Sequence, residues 1–575
     1  MYTRAHKTRL NAVFSLFIVL LSLLLIRVLY IQLARAYHLG LLAKKQHTAL
    51  IELQPKRGTI YDRNMSPLAV SLNLDSVYAN AKLINEKRSA ARKLASAMGL
   101  SESFVYERVG RNKGFIWIKR KVEPSEAAKV KALDIQGIEF MKEPKRVYPN
   151  NSLASQIVGY AGTDNKGLEG LELKYDEYLK GSPGYRATFR DARRRPIASF
   201  EYDYYPSVDG LDIVLTIDDV IEHIAERELD WAVEKFHPIG ACIIVMDPRN
   251  GDILAMSSRP TFNLNSFQSV TPDKKRNRAV TDMFEPGSIF KIVTASAALE
   301  EKIVGLKDKF YCENGAWKHA GGKILHDHKP HGWLTFREVI EKSSNIGTVK
   351  VGLKLGQDDL YAYIKKFGFG DLSGVDLPGE VPGFIRRPSQ WSGTSMYAIP
   401  MGQEVTVTPI QMACAMSVIA NGGRLVRPRI IESIQDRHGE IIKEYKPQEV
   451  RRVLSESTAA TMRDILSGVV LDGTGQLAKV EGYTVGGKTG TSQKIENGAY
   501  SHSKFIGSFI GFAPVEDPRI VVVVMLDQPH PLYYGGVVAA PVFSRVARDA
   551  LRYMDIRPEK AVEARREVDL DTVED

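Results

Sequence analysis

Ser288 and Lys291 are the residues of this sequence whose types and spacing most clearly suggest chemistry. They stand three positions apart at the start of the apolar, alanine-rich run KIVTASAALEE, which predicts a buried helix. Positions three apart share a helix face, so we expect the lysine amine to lie beside the serine hydroxyl. A hydroxyl needs a base to become a nucleophile, and a neutral lysine can be that base where burial and a nearby cation lower its pKa from about 10.4 towards 7 to 8. The pair alone predicts little, because Ser-x-x-Lys occurs by chance in many long proteins.

Two further short motifs strengthen the prediction, because the three follow one another in a known order. Ser343-Ser344-Asn345 stands at a predicted break between the run LTFREVIEK and the next helix. Lys488-Thr489-Gly490-Thr491 lies on a predicted strand after two glycines. Ser-x-x-Lys, a motif of the Ser-Asp-Asn type and Lys-Thr-Gly form a joint signature of serine enzymes that react with penicillin. We therefore predict a serine acyl-transfer site, in which Ser344 has no chemical role and Thr489 either binds substrate or only supports its strand.

A group of histidines raises a zinc site as an alternative. Residue types that bind metals occur here at close spacing: His326, Asp327, His328 and His331, with Cys312 and His319 upstream. Polar residues of a loop beside the catalytic cleft are a sufficient explanation, so we predict no metal ion and no cofactor. The three cysteines are far apart and odd in number, which signals no disulfide framework. We expect Cys242 and Cys414 to be small core residues.

A sheet assembled from both ends of the C-terminal half must position these motifs. At its start, two apolar runs flank Asn250-Gly251-Asp252, a strong hairpin signal. Near its end, YTVGGKTGTSQK, KFIGSFIGFAPV and RIVVVVMLDQP are typical of three more strands, followed by a helix from Ala540 to Met554. Residues 286 to 470 are predicted to be mostly helix and loop. This order predicts an α+β domain with a five-stranded antiparallel sheet flanked by helices, and a cleft where the two halves meet.

The N-terminal segment Ala12–Ala34 predicts a membrane anchor. Its 23 residues carry one charge, Arg27, and about 20 apolar residues suffice to cross a bilayer. A cleaved signal peptide is the alternative, but its apolar region should be only about 7 to 15 residues long. Asp218 is a good N-cap for a helix running towards Phe236, which places a domain boundary shortly before it. We therefore predict a tail at 1–11, the anchor at 12–34, a mixed domain at 35–210, the catalytic domain at 211–555 and a disordered tail at 556–575.

The net charge of +10 does not indicate nucleic-acid binding. Seven basic residues precede the first acidic one, Glu52, and supply +7 of that total, so the rest of the chain is close to neutral. The local exception is the run Arg190, Arg193, Arg194 and Arg195. We interpret it as a solvated loop, with contact to an anionic surface as the alternative.

The chain resembles the class B penicillin-binding proteins, which are monofunctional peptidoglycan D,D-transpeptidases, over nearly its whole length. Three segments of its N-terminal half are similar to the family's pedestal motifs: Arg57–Asn64 (RGTIYDRN), Arg146–Pro149 (RVYP) and Gly167–Glu172 (GLEGLE). Further matches lie in its C-terminal half: Gly402-Gln403, Thr408–Gln411 and Ala420–Gly423. The resemblance implies a cytoplasmic tail, an elongated extracytoplasmic pedestal of the dimerisation type at 35–210 and a penicillin-binding transpeptidase domain at 211–555.

The resemblance also implies how the first two motifs act. Ser288 would attack the carbonyl between the two terminal D-alanines of a peptidoglycan stem peptide, with Lys291 taking its proton. Ser343 would relay that proton to the leaving amine. Asn345 would orient Lys291 and bind the substrate backbone.

The third motif would bind the substrate's end. Lys488, with Thr489 and Thr491 on either side of Gly490, would hold the terminal carboxylate. The backbone N–H groups of Ser288 and Thr491 would form the oxyanion hole. A side-chain amine of a neighbouring stem peptide would then resolve the acyl-enzyme and complete the crosslink, and β-lactams would acylate the same serine.

Within the family, the chain most resembles the division-specific member that works at the septum, through the segment LDQPHPLYYGGVVAAPVF. An elongation-specific transpeptidase is the main rival. The sequence has no Walker, Rossmann or glycosyltransferase motif, so the resemblance implies a multispanning lipid II polymerase as partner, contacted through the anchor and the pedestal, with other division proteins nearby. It places the protein in the bacterial cytoplasmic (inner) membrane as a single-pass protein, with its catalytic domain in the periplasm at the septum.

A membrane-anchored β-lactam sensor or β-lactamase is a less favoured reading, and a scaffold with a degenerate site is less favoured still. A lactamase needs a base for deacylation, which is typically a carboxylate. Glu404 and Asp327 could approach the cleft, but we interpret both as structural. The pedestal and the RGTIYDRN segment also argue against a lactamase.

Overall fold

The computed structural model describes residues 4–111, 113–189, 204–496 and 498–559. The chain divides into two compact units, Met1–Lys56 with Gly181–Asp209 and Arg57–Lys180 with Gly210–Asp575. The arginine run between 190 and 195 and the tail beyond 559 lie outside the described residues, so what the sequence predicts for them stays a prediction.

The first unit contains the apolar N-terminal helix. Its helices are Arg4–Ala34 and Ala36–His47. Its sheet has three strands in the order Thr48–Leu53, Gly184–Phe189, Tyr204–Tyr205. Within the described ranges, Arg4–Ala34 is the one helix long and apolar enough to cross a membrane, and its side chains are all exposed. This is what an anchor requires, and the helix starts eight residues before the predicted span.

The second unit begins with the pedestal part of the chain. Its helices are Lys87–Met98, Glu102–Gly110, Pro124–Ala132, Ser155–Val158, Gly170–Lys174 and Asp176–Leu179. Its strands are Ile60–Tyr61, Pro67–Ala79, Ile116–Val122 and Ile138–Val147. They share one seven-stranded sheet with three later strands, Asp212–Leu215, Ile431–Gln435 and Ile441–Glu444. The pedestal and catalytic parts are therefore joined by a common sheet.

The three pedestal motifs meet at the carboxylate of Glu172. Arg57 donates to it at 2.5 Å and Arg146 at 2.6 Å, and all three side chains are buried. The Tyr148 hydroxyl adds a hydrogen bond at 3.3 Å. Arg57 also pairs with Asp176 at 2.6 Å. Buried charges need this many partners because each one loses its hydration on folding, and residues from three distant segments supply them here.

The central sheet of the catalytic part has the five strands that the sequence predicts. Its order is Ile253–Arg259, Gly240–Met246, Ile520–Asp527, Ala499–Ala513, Gly486–Glu496, and every neighbouring pair is antiparallel. The first two strands are the hairpin around Asn250-Gly251-Asp252. The α+β prediction is confirmed. The Lys-Thr-Gly motif lies on Gly486–Glu496, which is an edge strand and so leaves one side open for other elements.

Helices cover both faces of this sheet. Alternate side chains of Gly240–Met246 point to opposite sides, Ala241, Ile243 and Val245 to one apolar cluster and Cys242, Ile244 and Met246 to the other. The first cluster includes the helices Asp219–Phe236 and Ala540–Tyr553. Asp218 caps the former by accepting from Val220 N and Ile221 N, as predicted. Cys242 and Cys414 are buried core residues, which confirms their prediction.

The region between the two halves of the sheet is richer in short strands than predicted. Its main helices are Lys291–Glu300, Phe336–Glu341, Asn345–Leu355, Gln357–Lys366, Pro409–Ala420 and Glu456–Leu471. Three two-stranded pairs join Lys309–Tyr311 to Trp333–Thr335, Ala316–Lys318 to Ile324–His326, and Arg424–Val426 to Glu449–Arg452. Strands of three or four residues are too short to show alternation, so the sequence pattern missed them.

Candidate active site

All three motifs contribute to one cleft of about 980 Å³ in the second unit. Ser288, Ser343, Asn345, Thr489 and Thr491 line it. The two predicted catalytic lysines do not line the cleft. Lys291 and Lys488 are both fully buried behind its surface. The fold thus gathers residues that are up to about two hundred positions apart in the sequence.

Ser288 lies in a tight turn at the cleft wall. Gly287–Phe290 forms a short 3₁₀ turn that leads directly into the helix Lys291–Glu300. Gly287 has φ +53°, and a Cβ atom there would lie 3.3 Å from the Cβ of Ser492, so the turn presses against the edge strand. Ser288 is half-buried, and its hydroxyl makes no hydrogen bond to any residue in the described part of the chain. It is therefore free to react.

Lys291 has the surroundings of a base. Its Nζ donates to the Ser343 carbonyl at 2.7 Å and to Asn345 Oδ1 at 2.8 Å, and it lies 3.3 Å from Ser343 Oγ. Burial lowers the pKa of Lys291 to about 7, against the opposing effects of Asp327 and Cys312. A large fraction of this lysine is consequently neutral near pH 7, and this is the condition that the sequence argument requires.

Ser343 connects Lys291 to Lys488. It stands in the gap between two helices with φ +57°, a left-handed conformation that is uncommon for residues other than glycine. Lys488 Nζ donates to its hydroxyl at 2.8 Å and to the carbonyl of Thr489 at 3.2 Å. Burial, followed by the charge of Lys291, lowers the pKa of Lys488 well below its ordinary value. Lys488 therefore does not line the cleft, and it is connected to the cleft by its hydrogen bond to the Ser343 hydroxyl.

Asp327 holds the second motif in place, a role that the sequence did not reveal beyond its being structural. Its carboxylate accepts from Asn345 N at 2.5 Å, Ile346 N at 3.0 Å and Ser344 Oγ at 2.7 Å. The Ser344 hydroxyl also caps the helix Asn345–Leu355 by accepting from Gly347 N at 2.9 Å. Ser344 is buried in this cap and does not belong to the cleft lining.

The edge strand presents two hydroxyls to the cleft. Thr489 Oγ1 lies 2.7 Å from Thr474 Oγ1, and Thr491 Oγ1 accepts from Gly535 N at 3.0 Å. A Cβ atom on Gly490 would overlap the Ser508 hydroxyl and lie 2.9 Å from Ile289 Cγ2, so only glycine fits between the strand and the Ser288 turn. Thr474 is a site residue that the sequence did not single out, because no local pattern marks it, whereas Gly535 was noted only as part of the segment from Leu526 to Phe543.

The histidines line the cleft without converging on one point. His326, His328 and His331 belong to the lining, and the ring of His328 stacks on Tyr534 at 5.1 Å. Within the described ranges, three metal-ligand side chains come within reach of one another at Asp62, Asp218 and Asp219, outside the cleft lining. His328 is held by stacking on Tyr534, and His326 and His328 are exposed to solvent.

Comparisons with known proteins agree with this geometry. Residues 241–548 match the family model described as penicillin binding protein transpeptidase domain, and residues 52–215 match the penicillin-binding protein dimerisation domain. The chain is 40% identical to stage V sporulation protein D of Bacillus subtilis, over 92% of this chain and 83% of that protein. It is 30% identical to the peptidoglycan D,D-transpeptidase FtsI of Escherichia coli, over 88% and 85%. Among solved structures, it is similar to penicillin binding protein 3 of Mycobacterium tuberculosis in complex with ampicillin, with a TM-score of 0.70, 29% identity and coverage of 88% and 97%.

Proposed function

Because this chain belongs to the class B penicillin-binding proteins, which are serine-type peptidoglycan D,D-transpeptidases, we propose that Ser288 is the residue acylated by the stem peptide and that the protein works at the division septum. The observation that carries the assignment of Ser288 is its place in the cleft, one helical turn from a buried lysine whose pKa burial lowers to about 7. Acylation by a β-lactam tests it, since the drug competes for the same serine.

In the proposed acylation, Lys291 takes the proton of the Ser288 hydroxyl as Oγ attacks the carbonyl between the two D-alanines. The backbone N–H groups of Ser288 and Thr491 receive the negative charge that forms on the carbonyl oxygen. The proton then passes from Lys291 through the Ser343 hydroxyl to the departing D-alanine amine. The 3.3 Å distance from Lys291 Nζ to Ser343 Oγ supports this route.

The third motif binds the donor in this proposal. The hydroxyls of Thr489 and Thr491 line the cleft and hold the terminal carboxylate of the stem peptide. Lys488 lies behind Ser343 and acts through its hydrogen bond to the Ser343 hydroxyl, without touching the carboxylate directly. Asn345 holds Lys291 with its side-chain oxygen, while its amide nitrogen donates to the His326 carbonyl at 2.9 Å.

The septal role rests on the segment from Leu526 to Phe543, which resembles the division type. Its residues Tyr533 and Tyr534 line the cleft, and Gly535 donates to Thr491, so the segment that carries the resemblance also shapes the site. Elongation is the alternative. Wall synthesis during sporulation is a second candidate, favoured by the 40% identity to stage V sporulation protein D.

Depletion followed by microscopy separates these roles. Filaments without septa support division, rounded cells indicate elongation, and normal growth with defective spores indicates sporulation. A fluorescent fusion that follows the whole cell perimeter would contradict the septal proposal.

The protein is membrane-anchored by its N-terminal helix. We propose a multispanning lipid II polymerase as its partner, reached through this anchor and the pedestal, with other division proteins nearby. Co-purification of a polymerase with the full chain, and its loss when residues 1–36 are removed, is the expected result. Equal recovery with both chains would place the contact elsewhere.

A further inference from the structure

Glu285 is a buried carboxylate of the cleft wall that the proposed acylation steps leave unused. It stands three residues before Ser288, lines the same cavity and is 9% exposed. Its segment is firmly held, because Phe284 exchanges two backbone hydrogen bonds with Val407 and Gly287 N donates to the Gly402 carbonyl at 2.9 Å. The segment that carries Glu285 is therefore held in the wall of the cleft that Ser288 also lines.

The hydrogen bonds of Glu285 leave one oxygen open. Oε1 accepts from Glu404 N at 2.9 Å and from the Tyr500 hydroxyl at 3.4 Å. Oε2 accepts no hydrogen bond from the residues that the structure describes, and no cation among them pairs with this carboxylate. Burial raises the pKa of Glu285, and the neighbouring charge of Glu404 adds to the effect. A carboxylate in such a place gains from a cation that enters the cleft.

Other carboxylates near the cleft are already engaged or exposed. The Asp327 carboxylate already accepts three hydrogen bonds from the second motif and the residue after it. Glu404 pairs with Arg386 at 2.7 Å and accepts from Ser395 at 2.6 Å. Asp472 lines the cleft but is exposed to solvent. Glu285 alone in this group is buried, open on one oxygen and without a cation.

The second half of transpeptidation requires a cation to arrive and lose a proton. A side-chain primary amine has a pKa of about 10.4, so near neutral pH it enters the cleft as an ammonium ion. An ammonium ion has no lone pair and cannot attack the acyl-enzyme. Some group must take this first proton, and Lys291 is needed for the second one.

We propose that Glu285 receives the acceptor amine: its carboxylate pairs with the ammonium ion of the incoming stem peptide and takes its first proton. This inference rests on the proposed role of Ser288. The freed nitrogen lone pair attacks the carbonyl carbon of the Ser288 ester, and the carbonyl electrons move to oxygen. When the carbonyl re-forms, the bond to Ser288 Oγ breaks, and the second amine proton passes through Lys291 to that oxygen. Glu285 finally releases its proton to water, which leaves a new amide and the free serine.

The test uses the full-length protein in detergent and the variant Glu285→Gln. Glutamine keeps an oxygen for Glu404 N and Tyr500 but cannot take a proton. Asp472→Asn, which neutralises an exposed acid of the same cleft, is the matched control. Three reactions are compared: labelling by fluorescent penicillin, coupling of a stem pentapeptide donor to an acceptor stem peptide with a primary amine, and coupling of the same donor to methoxyamine, which is already neutral at pH 7.5.

The expected result is selective. In Glu285→Gln, peptide coupling falls by about 10²-fold, the size of effect typical of a lost general base. Penicillin labelling and coupling to methoxyamine stay within about threefold of wild type, well below that effect. Asp472→Asn leaves all three reactions unchanged.

Several outcomes overturn the inference. If Glu285→Gln couples the acceptor peptide at the wild-type rate, another group takes the first proton of the amine. The same conclusion follows if peptide coupling falls in Asp472→Asn instead. If coupling to methoxyamine falls as much as coupling to the peptide, Glu285 only supports the structure. If hydrolysis of the acyl-enzyme slows while peptide coupling stays normal, Glu285 acts as a base for water. If Glu285→Gln does not fold, Glu285→Asp is measured in its place. Aspartate keeps the base but draws it back by one methylene, so a partial loss of peptide coupling with normal penicillin labelling is expected. Failure of the wild type to be labelled at Ser288 would instead reject the proposed function.

Discussion

The amine of Lys488 donates a 2.8 Å hydrogen bond to the hydroxyl of Ser343, 145 residues earlier in the chain. The same hydroxyl lies 3.3 Å from Lys291 Nζ, so two lysines from different elements share it. Both lysines are fully buried, and burial lowers the pKa of each. Two ammonium ions this close would repel each other, so the electrostatics favour one proton shared by the pair. When that proton lies on Lys488, the Lys291 amine is neutral and can act as the base for Ser288.

Ser288→Ala should abolish covalent labelling by fluorescent penicillin while leaving the fold intact. The hydroxyl is half-buried and makes no hydrogen bond within the described ranges, so its removal should change the free energy of unfolding by less than about 0.5 kcal/mol. Gel fluorescence and a thermal melt measure the two effects. Retained labelling would reject Ser288 as the nucleophile.

The rate of acylation should fall in acid. Lys291 acts as a base only when it is neutral, and burial lowers its pKa to about 7. The second-order rate constant for penicillin should therefore be level above that pH and fall by about tenfold per pH unit below it. Stopped-flow or timed gel labelling from pH 5 to 9 measures the profile. Lys291→Ala should lose about 10²-fold to 10⁴-fold in rate, and a normal rate would mean that another base acts.

Asp327→Asn should destabilise the fold and shift the pH profile of acylation. It removes the charge from a cap that receives two backbone N–H groups and the Ser344 hydroxyl, so we expect a loss of about 1 to 3 kcal/mol in the free energy of unfolding. Because the Asp327 charge opposes the lowering of the Lys291 pKa, its removal should shift the acid limb of the acylation profile to lower pH. Denaturant unfolding and the pH profile test the two effects.

Asp358→Asn is the matched control for that variant. Asp358 is an exposed acid in the first turn of the next helix, Gln357–Lys366. Its replacement should change stability by no more than about 0.5 kcal/mol and leave the pH profile alone. Equal effects of the two variants would show that Asp327 has no special role.

Removal of residues 1–36 should release a soluble protein that is acylated by penicillin at the full-length rate. Every residue that lines the cleft belongs to the second compact unit, whereas residues 1–36 belong to the first. Labelling of the soluble chain and of the detergent-solubilised full chain provides the comparison. A folded but unreactive product would show that the site depends on the anchor.

The penicilloyl-enzyme should persist for many minutes. Asp327 and Glu404 are held by other groups, and Glu285 is assigned to the ammonium ion of the acceptor peptide, so none of the three is assigned to activate water. A lifetime of minutes corresponds to a deacylation barrier above about 20 kcal/mol. Intact-mass spectrometry after a penicillin pulse measures it. An adduct that disappears within seconds, with steady release of penicilloic acid, would favour a β-lactamase.

Local patterns predicted the elements that carry the motifs. The hairpin at Asn250-Gly251-Asp252, the three late strands and the helix capped by Asp218 are confirmed because turn residues, apolar runs and caps act over a few positions. The short strands between Lys309 and Arg452 were missed because three residues are too few to show a period. Pairing with distant partners forms them, and that pairing is not visible in a local window.

The sequence by itself determined which residue types are available for the chemistry and in what order: a serine with a lysine one helical turn away, then Ser-x-Asn, then Lys-Thr-Gly. Only the tertiary structure decided that Lys488 reaches the cleft through Ser343, that Asp327 caps the helix of Asn345, and that Glu285 keeps one oxygen without a partner among the described residues in the cleft of Ser288. The reason is physical. Spacing along one helix follows from the sequence, whereas burial, and with it the pKa of Lys291, depends on groups that come together only when distant segments pack and exclude water.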